Sequence, residues 1–291
     1  MSRKRRRGPG RVGQGLAAAC AALFAYGAFV YLTLPDVRGL KARNPDTTAF
    51  IELRAQEARA RGEEPRRIQR WVSYGRISPN LTRAVLVAED DRFWKHGGID
   101  FDELKESMEV NLERMEFARG GSTITQQLAK NLYLSPSKNP VRKVREFMIA
   151  RELEAELSKQ RILELYLNVV EWGDGIYGAE AAARAYFHKS AAELGAQDAA
   201  LLAAALVNPR LLDPGHPTSR LKRRQQMVMR RMGAVTPPPV LAGGVPDAPP
   251  IPAIEPVPAL EIDSAPAALP GEAVPVASDV PKPPDGPPDA P

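Results

Sequence analysis

The chain has 291 residues, 44% of them hydrophobic and 26% charged, which excludes a purely disordered or fibrous protein and allows one good core with attachments. Its formal charge is +5, from 40 basic and 35 acidic side chains, and the two signs are unevenly distributed. Because there is a single cysteine, Cys20, no internal disulfide can form, and an exported domain must be stable by packing alone.

Six basic residues, Arg3, Lys4, Arg5, Arg6, Arg7 and Arg11, precede an uncharged stretch over residues 12–34. The apolar centre of that stretch, residues 16–34, makes a helix of roughly 28 Å, against a hydrocarbon thickness of about 30 Å. The spacing predicts a transmembrane signal anchor, with residues 1–11 in the cytoplasm and the rest of the chain across the membrane. Small residues in "AAACAALFA" suit a cleaved signal peptide as the competing reading, but the apolar run continues to Tyr31, Leu32 and Leu34. Cys20 falls early inside the run, as a buried residue of the span.

Residues 35–70 are polar and punctuated by Gly39, Pro45, Gly62 and Pro65. They read as a stalk or linker with one helix, "TAFIELRAQEARAR", and no chemistry. "RIQRWVSYGRIS" alternates well enough for a short strand or hairpin. From Ser78 the signals are helical: "SPNLTRAVLVAED" opens with an N-cap serine and a proline at the first helical position. Further helices are expected near Gly121 or Ser122, Pro140, Ser158, Ile176 and Ser190, where "SAAE" is a capping box. Alanine-rich runs such as "DAALLAAALV" let helices approach closely. Residues 236–291 carry 18 of the 28 prolines and no aromatic residue, so a disordered Pro-rich tail is expected. Eight acids and one lysine give that tail −7, which leaves +12 on the residues before it. The working part of the chain is strongly basic, suited to phosphate-bearing lipids or acidic polymers.

Two segments concentrate chemistry. In "AEDDRFWKHGGIDFDEL", Glu89, Asp90 and Asp91 end a helix where the dipole disfavours carboxylates. Phe93 and Trp94 supply apolar walls that raise a carboxyl pKa, Lys95 and His96 supply positive charge, and Gly97 and Gly98 let backbone approach a ligand. Taken alone, an "EDD" helix end reads as a solvated face. The second segment, "RGGSTITQQLAKNLYLSPSKNPVRKVRE", opens with a glycine turn and a helix N-terminus crowded by Ser122, Thr123, Thr125, Gln126 and Gln127, a natural anion site. Lys130, Lys138, Arg142, Lys143 and Arg145 then concentrate positive charge around Glu146, which lies one helical turn from Arg142.

In order and at compatible spacings, "EDDRFWKHGGID", "GGSTITQQLAKN", "RKVRE" and "KQRILELYLNVVEWGDGIYG" resemble the peptidoglycan glycosyltransferases that polymerise lipid II, a lysozyme-like family. The likeness covers about residues 71–212, and no transpeptidase-like segment follows, as in the monofunctional biosynthetic form. "SPSK", residues 135–138, satisfies an acyl-transferase pattern by chance, lacking its companion elements.

The resemblance implies a mainly α, two-lobed glycosyltransferase domain over residues 71–235. It implies Glu89 as general base toward the 4-hydroxyl of the incoming lipid II, attack on the MurNAc C1 of the lipid-linked growing chain, and departure of undecaprenyl pyrophosphate with inversion. Lys130, Arg142 and Lys143 are donor-phosphate candidates, joined by Lys138. Glu146 resembles the second family glutamate, orienting those cations or holding a divalent ion. Ser122, Thr123, Gln126 and Gln127 are expected to line the cleft, with Asp90, Phe93, His96 and Gly98 on the substrate side. Lys159, Tyr166 and Asn168 belong to a chiefly structural motif.

A divalent cation, Mg2+ or Mn2+, is expected with the donor pyrophosphate, and no organic cofactor. The implied setting is the bacterial inner membrane, single-pass, with the catalytic domain on the periplasmic face. Lipid II, the glycan chain and the membrane are the expected partners, with cell-wall synthesis or division proteins besides. Nucleic acid is not expected, because the topology puts the basic charge outside the cytoplasm. A lytic transglycosylase or muramidase would share the fold without needing the dense basic segment, and a membrane-anchored scaffold would need neither glutamate. Two positions depart from the family: Lys138, where arginine is frequent, and His188, where glycine is usual. An apolar patch, "NLERMEF" at residues 111–117, reads as a lipid-dipping face or an amphipathic core helix.

Overall fold

A computed structural model of the chain describes residues 11–114, 121–137 and 139–234. The tail over 236–291, Lys138, and the last three residues of "NLERMEF" lie outside the described residues.

Helix α1, Arg11–Leu32, contains the apolar run; from Gln14 to Leu32 it is long and apolar enough to cross a membrane. Its described side chains are exposed until the last turn, where Val30 becomes buried. The chain then passes through a 3-10 turn, Arg38–Lys41, to α2, Ala49–Ala60, whose N-cap Thr48 accepts from the Ile51 amide.

Residues 35–70 are not a free stalk. Val37 and Leu40 sit in the main hydrophobic core, and α2 packs on a later helix, α5, Ile124–Tyr133. Buried Arg161 explains the attachment: its guanidinium donates to the carbonyls of Leu40 and Arg43 and to Asn44 Oδ1. The segment docks through buried charge-assisted hydrogen bonds in addition to its apolar contacts at Val37 and Leu40.

Strand β1 is only Ile68–Gln69, followed by a 3-10 turn at Tyr74–Arg76. No hairpin forms there. Instead β1 pairs in parallel with β3, Ile176–Tyr177, which pairs antiparallel with β2, Glu171–Gly173. The helix expected near Ile176 therefore starts later, as α8, Ala179–Phe187. Gly178 makes the break: it has φ +85, and a Cβ there would stand 2.7 Å from the Asn168 carbonyl oxygen.

Helix α3, Pro79–Glu89, begins at the expected Ser78 cap, with Ser78 Oγ accepting from the Asn80 amide and donating to the Leu194 carbonyl. Helix α4 is Phe101–Arg114, and its Phe101 and Met108 remain exposed. Helix α5 starts after Thr123, not Ser122, because the capping box is Thr123 with Gln126. Helices α6, Pro140–Glu156, and α7, Lys159–Val169, start where proline and serine signals put them. "SAAE" does form a capping box, but on a 3-10 turn, Ala191–Glu193, with α9 beginning at Ala196.

Helix α9, Ala196–Ala205, is buried over Ala199–Ala205 between α3 and α10, Ser219–Arg231. A helix apolar on all sides belongs inside, and alanine lets its neighbours come close. That packing sets α3 rigidly, so its last residue, Glu89, is fixed from below.

Candidate functional site

Glu89 is partly buried at the C-terminal end of α3. Its Oε2 accepts from Gln127 Nε2 at 2.8 Å, and Gln127 Oε1 accepts from the buried Tyr166 hydroxyl at 2.9 Å. The carboxylate can only accept, so the Gln127 amide must turn its NH2 to Glu89 and its oxygen to Tyr166. Burial pushes the Glu89 carboxyl above its ordinary value; the Gln127 bond and the charges of Arg224 and Lys130 pull it back in part. Burial likewise pushes the Tyr166 phenol well up, so it remains a donor.

Helices α5 and α6 build the basic side. Glu146, buried on α6, accepts from Arg142 Nη1 at 2.6 Å and from Lys143 Nζ. Lys143 also reaches Ser122 Oγ at 3.3 Å and stands over the Phe147 ring. Lys130, on α5, lies 5.8 Å from the centroid of Phe50, contributed by α2. Its pKa is lowered chiefly by burial and secondarily by Arg142 and Lys143, while Glu146 and Glu89 hold it up. Lys130 thus interacts with both glutamates and ties the two halves of the site together.

The remaining expected residues hold the frame. Asp90, 3% exposed, accepts from the Ile124 amide at 2.9 Å and pairs with His96 Nε2 at 3.0 Å. His96 Nδ1 accepts from the Gly98 amide, so Nε2 is the nitrogen that donates to Asp90. The helix N-terminus expected to bind a substrate anion therefore already has one, the Asp90 carboxylate. Thr123 and Gln126 are both buried and cap each other, and Thr123 Oγ1 donates to the Gly98 carbonyl. Gly98 (φ +89) lies against α6, where a Cβ would meet Glu154 Cγ at 3.0 Å and the Ala150 carbonyl oxygen at 3.1 Å. Its lack of a side chain serves this packing rather than a ligand. Phe93 is fully buried, edge-on to Trp94, with Lys159 Nζ 4.3 Å from its ring centroid. Ser122 and Gln127 are the two polar residues of this helix start that stay accessible to a ligand or to Glu89.

A protein-held divalent ion does not fit these residues. Both oxygens of Glu146 are engaged by cations, Lys130 adds a third positive charge, and no group of three His, Cys, Asp or Glu side chains suited to a metal occurs among the described residues.

An acid held by a glutamine, with a partly exposed cluster of cations on two packed helices beside it, suits transfer of a glycosyl group from a phosphate carrier. A profile described as Transglycosylase matches residues 56–233. The chain belongs to the transglycosylase family. A biosynthetic peptidoglycan transglycosylase of Dechloromonas aromatica is 47% identical over 191 residues, 66% of this chain and 83% of that one. Relatives of the same name from Thiobacillus denitrificans and Aromatoleum aromaticum are 44% identical over 228 residues and 52% identical over 167. They cover 78% and 57% of this chain, and 97% and 73% of their own.

As a transglycosylase, a glycosyl-transferring enzyme, the protein uses parts of its chain that its short motifs do not contain. Arg224 of α10 bears on Glu89 electrostatically, and Phe50 of α2 flanks Lys130. No local signal marks either one; only the folded chain brings them in. Tyr166, expected to be structural, connects directly to the Gln127 that holds Glu89. Asn168 is structural as expected, bonding both backbone groups of Val72. Lys159 pairs with Glu154.

Proposed function

We propose that this enzyme polymerises lipid II into glycan strands at the outer face of the bacterial cytoplasmic membrane, with Glu89 as general base. The observation that carries the reading is the opposition of one oriented, partly desolvated glutamate to a cluster of three cations on α5 and α6. The acceptor's 4-hydroxyl gives its proton to the Glu89 carboxylate as the oxygen bonds to C1 of the lipid-linked MurNAc. The C1–O bond to pyrophosphate breaks on the opposite face, which inverts C1. Undecaprenyl pyrophosphate leaves as an anion, so Lys130, Arg142 and Lys143 stabilise the charge that develops on it. Its raised pKa makes the Glu89 carboxylate a stronger base once ionised. Helix α1 spans the bilayer with the six basic residues inside, which puts site and substrate on the same surface.

The test is polymerisation of labelled lipid II by the purified full-length protein, resolved by glycan length, against Glu89→Gln. Glutamine preserves the shape and can still accept from Gln127, so the expected loss is that of the base alone, about 10²–10⁴-fold. Cleavage of preformed glycan by the native protein, with no polymer made, would overturn the direction of the chemistry.

A further inference from the structure

The anchor helix and the phosphate-binding helix are joined, and the joint lies outside the catalytic residues. Helix α1 ends at Leu32, and the next carbonyl, that of Thr33, accepts from Arg145 Nη2 at 2.8 Å while Thr33 Oγ1 accepts from Arg145 Nη1 at 2.9 Å. An arginine at a helix C-terminus satisfies a free carbonyl and complements the dipole. Arg145 sits on α6 beside Glu146 and three residues from Arg142, a rise of about 4.5 Å along the helix. The far end of α6 is tied to the same segment, with Glu156 Oε2 accepting from Lys41 Nζ at 2.6 Å.

The intervening chain has no slack. Val30 is buried, Leu34 packs on the core, and Val37 and Leu40 are inside it, with the Leu40 carbonyl held by Arg161. A rigid connection of this kind fixes how far Arg142 and Lys143 stand from the end of the apolar span.

We infer that Arg145 is a positioning residue that sets the height of the donor-phosphate cations above the bilayer. The inference rests on the proposed lipid-linked donor. A pyrophosphate bonded directly to a polyprenyl tail sits at the boundary between hydrocarbon and headgroups, the same level at which α1 ends. Fixing the cations there removes the orientational search for a substrate whose depth is itself fixed. Arg145 does not touch substrate; it acts through α6.

The experiment compares initial polymerisation rates of the full-length protein in lipid II-loaded phospholipid vesicles and in detergent micelles, where depth is not imposed. Arg145→Gln removes the clamp, and a four-residue Gly-Ser insertion between Leu32 and Thr33 leaves the Arg145–Thr33 bonds in place but separates them from the end of the apolar span. In vesicles both are expected to lose about tenfold or more, and in micelles both should match the native rate. Arg145→Lys, whose ammonium can still cap the Thr33 carbonyl, should recover most of the vesicle rate. If Arg145→Gln fails to fold, the insertion carries the test alone. Equal rates in vesicles, or the same loss in micelles as in vesicles, would overturn the inference. No polymer from the native protein in either medium would instead sink the reading on which it rests.

Discussion

Glu89 owes its behaviour to a relay of two side chains, and each has a measurable consequence. In its proposed role as base Glu89 must be ionised to work, and burial raises its pKa, so that role predicts that activity falls with acid at a pH above the ordinary glutamate value of about 4.3. The same shift acts on stability in a fixed direction. A carboxyl whose pKa is raised on folding favours the protonated folded state, and ionising it costs stability as pH rises through the window from the unfolded to the folded value. Glu89→Gln should therefore be more resistant to denaturant than the native protein at pH 8, the gap closing as pH falls toward about 4. Tyr166→Phe removes the donor that orients Gln127. The unpaired Gln127 oxygen should cost about 1–3 kcal/mol in chemical denaturation, and kcat should fall while KM changes little.

Among the elements, α8 resolves a departure that the sequence leaves open. His188 is the αL C-cap of this helix, at φ 56, the position that glycine fills most readily. His188→Gly should stabilise the fold by up to about 1 kcal/mol, read as a higher denaturation midpoint with activity unchanged. The starts of α3, α6 and α7 were legible in the sequence because Ser78, Pro79, Pro140 and Ser158 act locally, whereas α4 and α10 carried no start signal that was read. What failed was non-local. "DDRF" gives no sign that Asp90 will meet the amide of Ile124, so the second acid of the pair could not be told from a substrate ligand. "GDGIYG" reads as a helix start until the strand beside it supplies a partner. Glu89 itself was legible, through its run of acids and the resemblance those acids belong to; its environment, built by Gln127, Tyr166 and Arg224, was not.

On the scale of the whole molecule, the domain begins before its chemistry does. Residues 35–70 have the composition of a linker, yet they contribute Val37 and Leu40 to the core, β1 to the sheet and Phe50 to the site. A chain started at residue 71 should fail to unfold cooperatively in circular dichroism melts, whereas one started at residue 35 should keep a single transition. The reason is that Arg161, buried on α7 and paired with Glu164, would lose its acceptors at Leu40, Arg43 and Asn44, at a cost of about 1–3 kcal/mol for each donor left unpaired.

Cys20, the only thiol in the protein, is exposed on α1 rather than buried as the sequence suggested, and lies twelve residues before the helix ends. That separation is about 18 Å along the helix axis. A nitroxide or environment-sensitive fluorophore attached there needs no engineered cysteine and no removal of others. The native chain thus carries a ready attachment point for spectroscopic measurement of immersion depth and tilt, on the very helix whose placement governs where the cations lie.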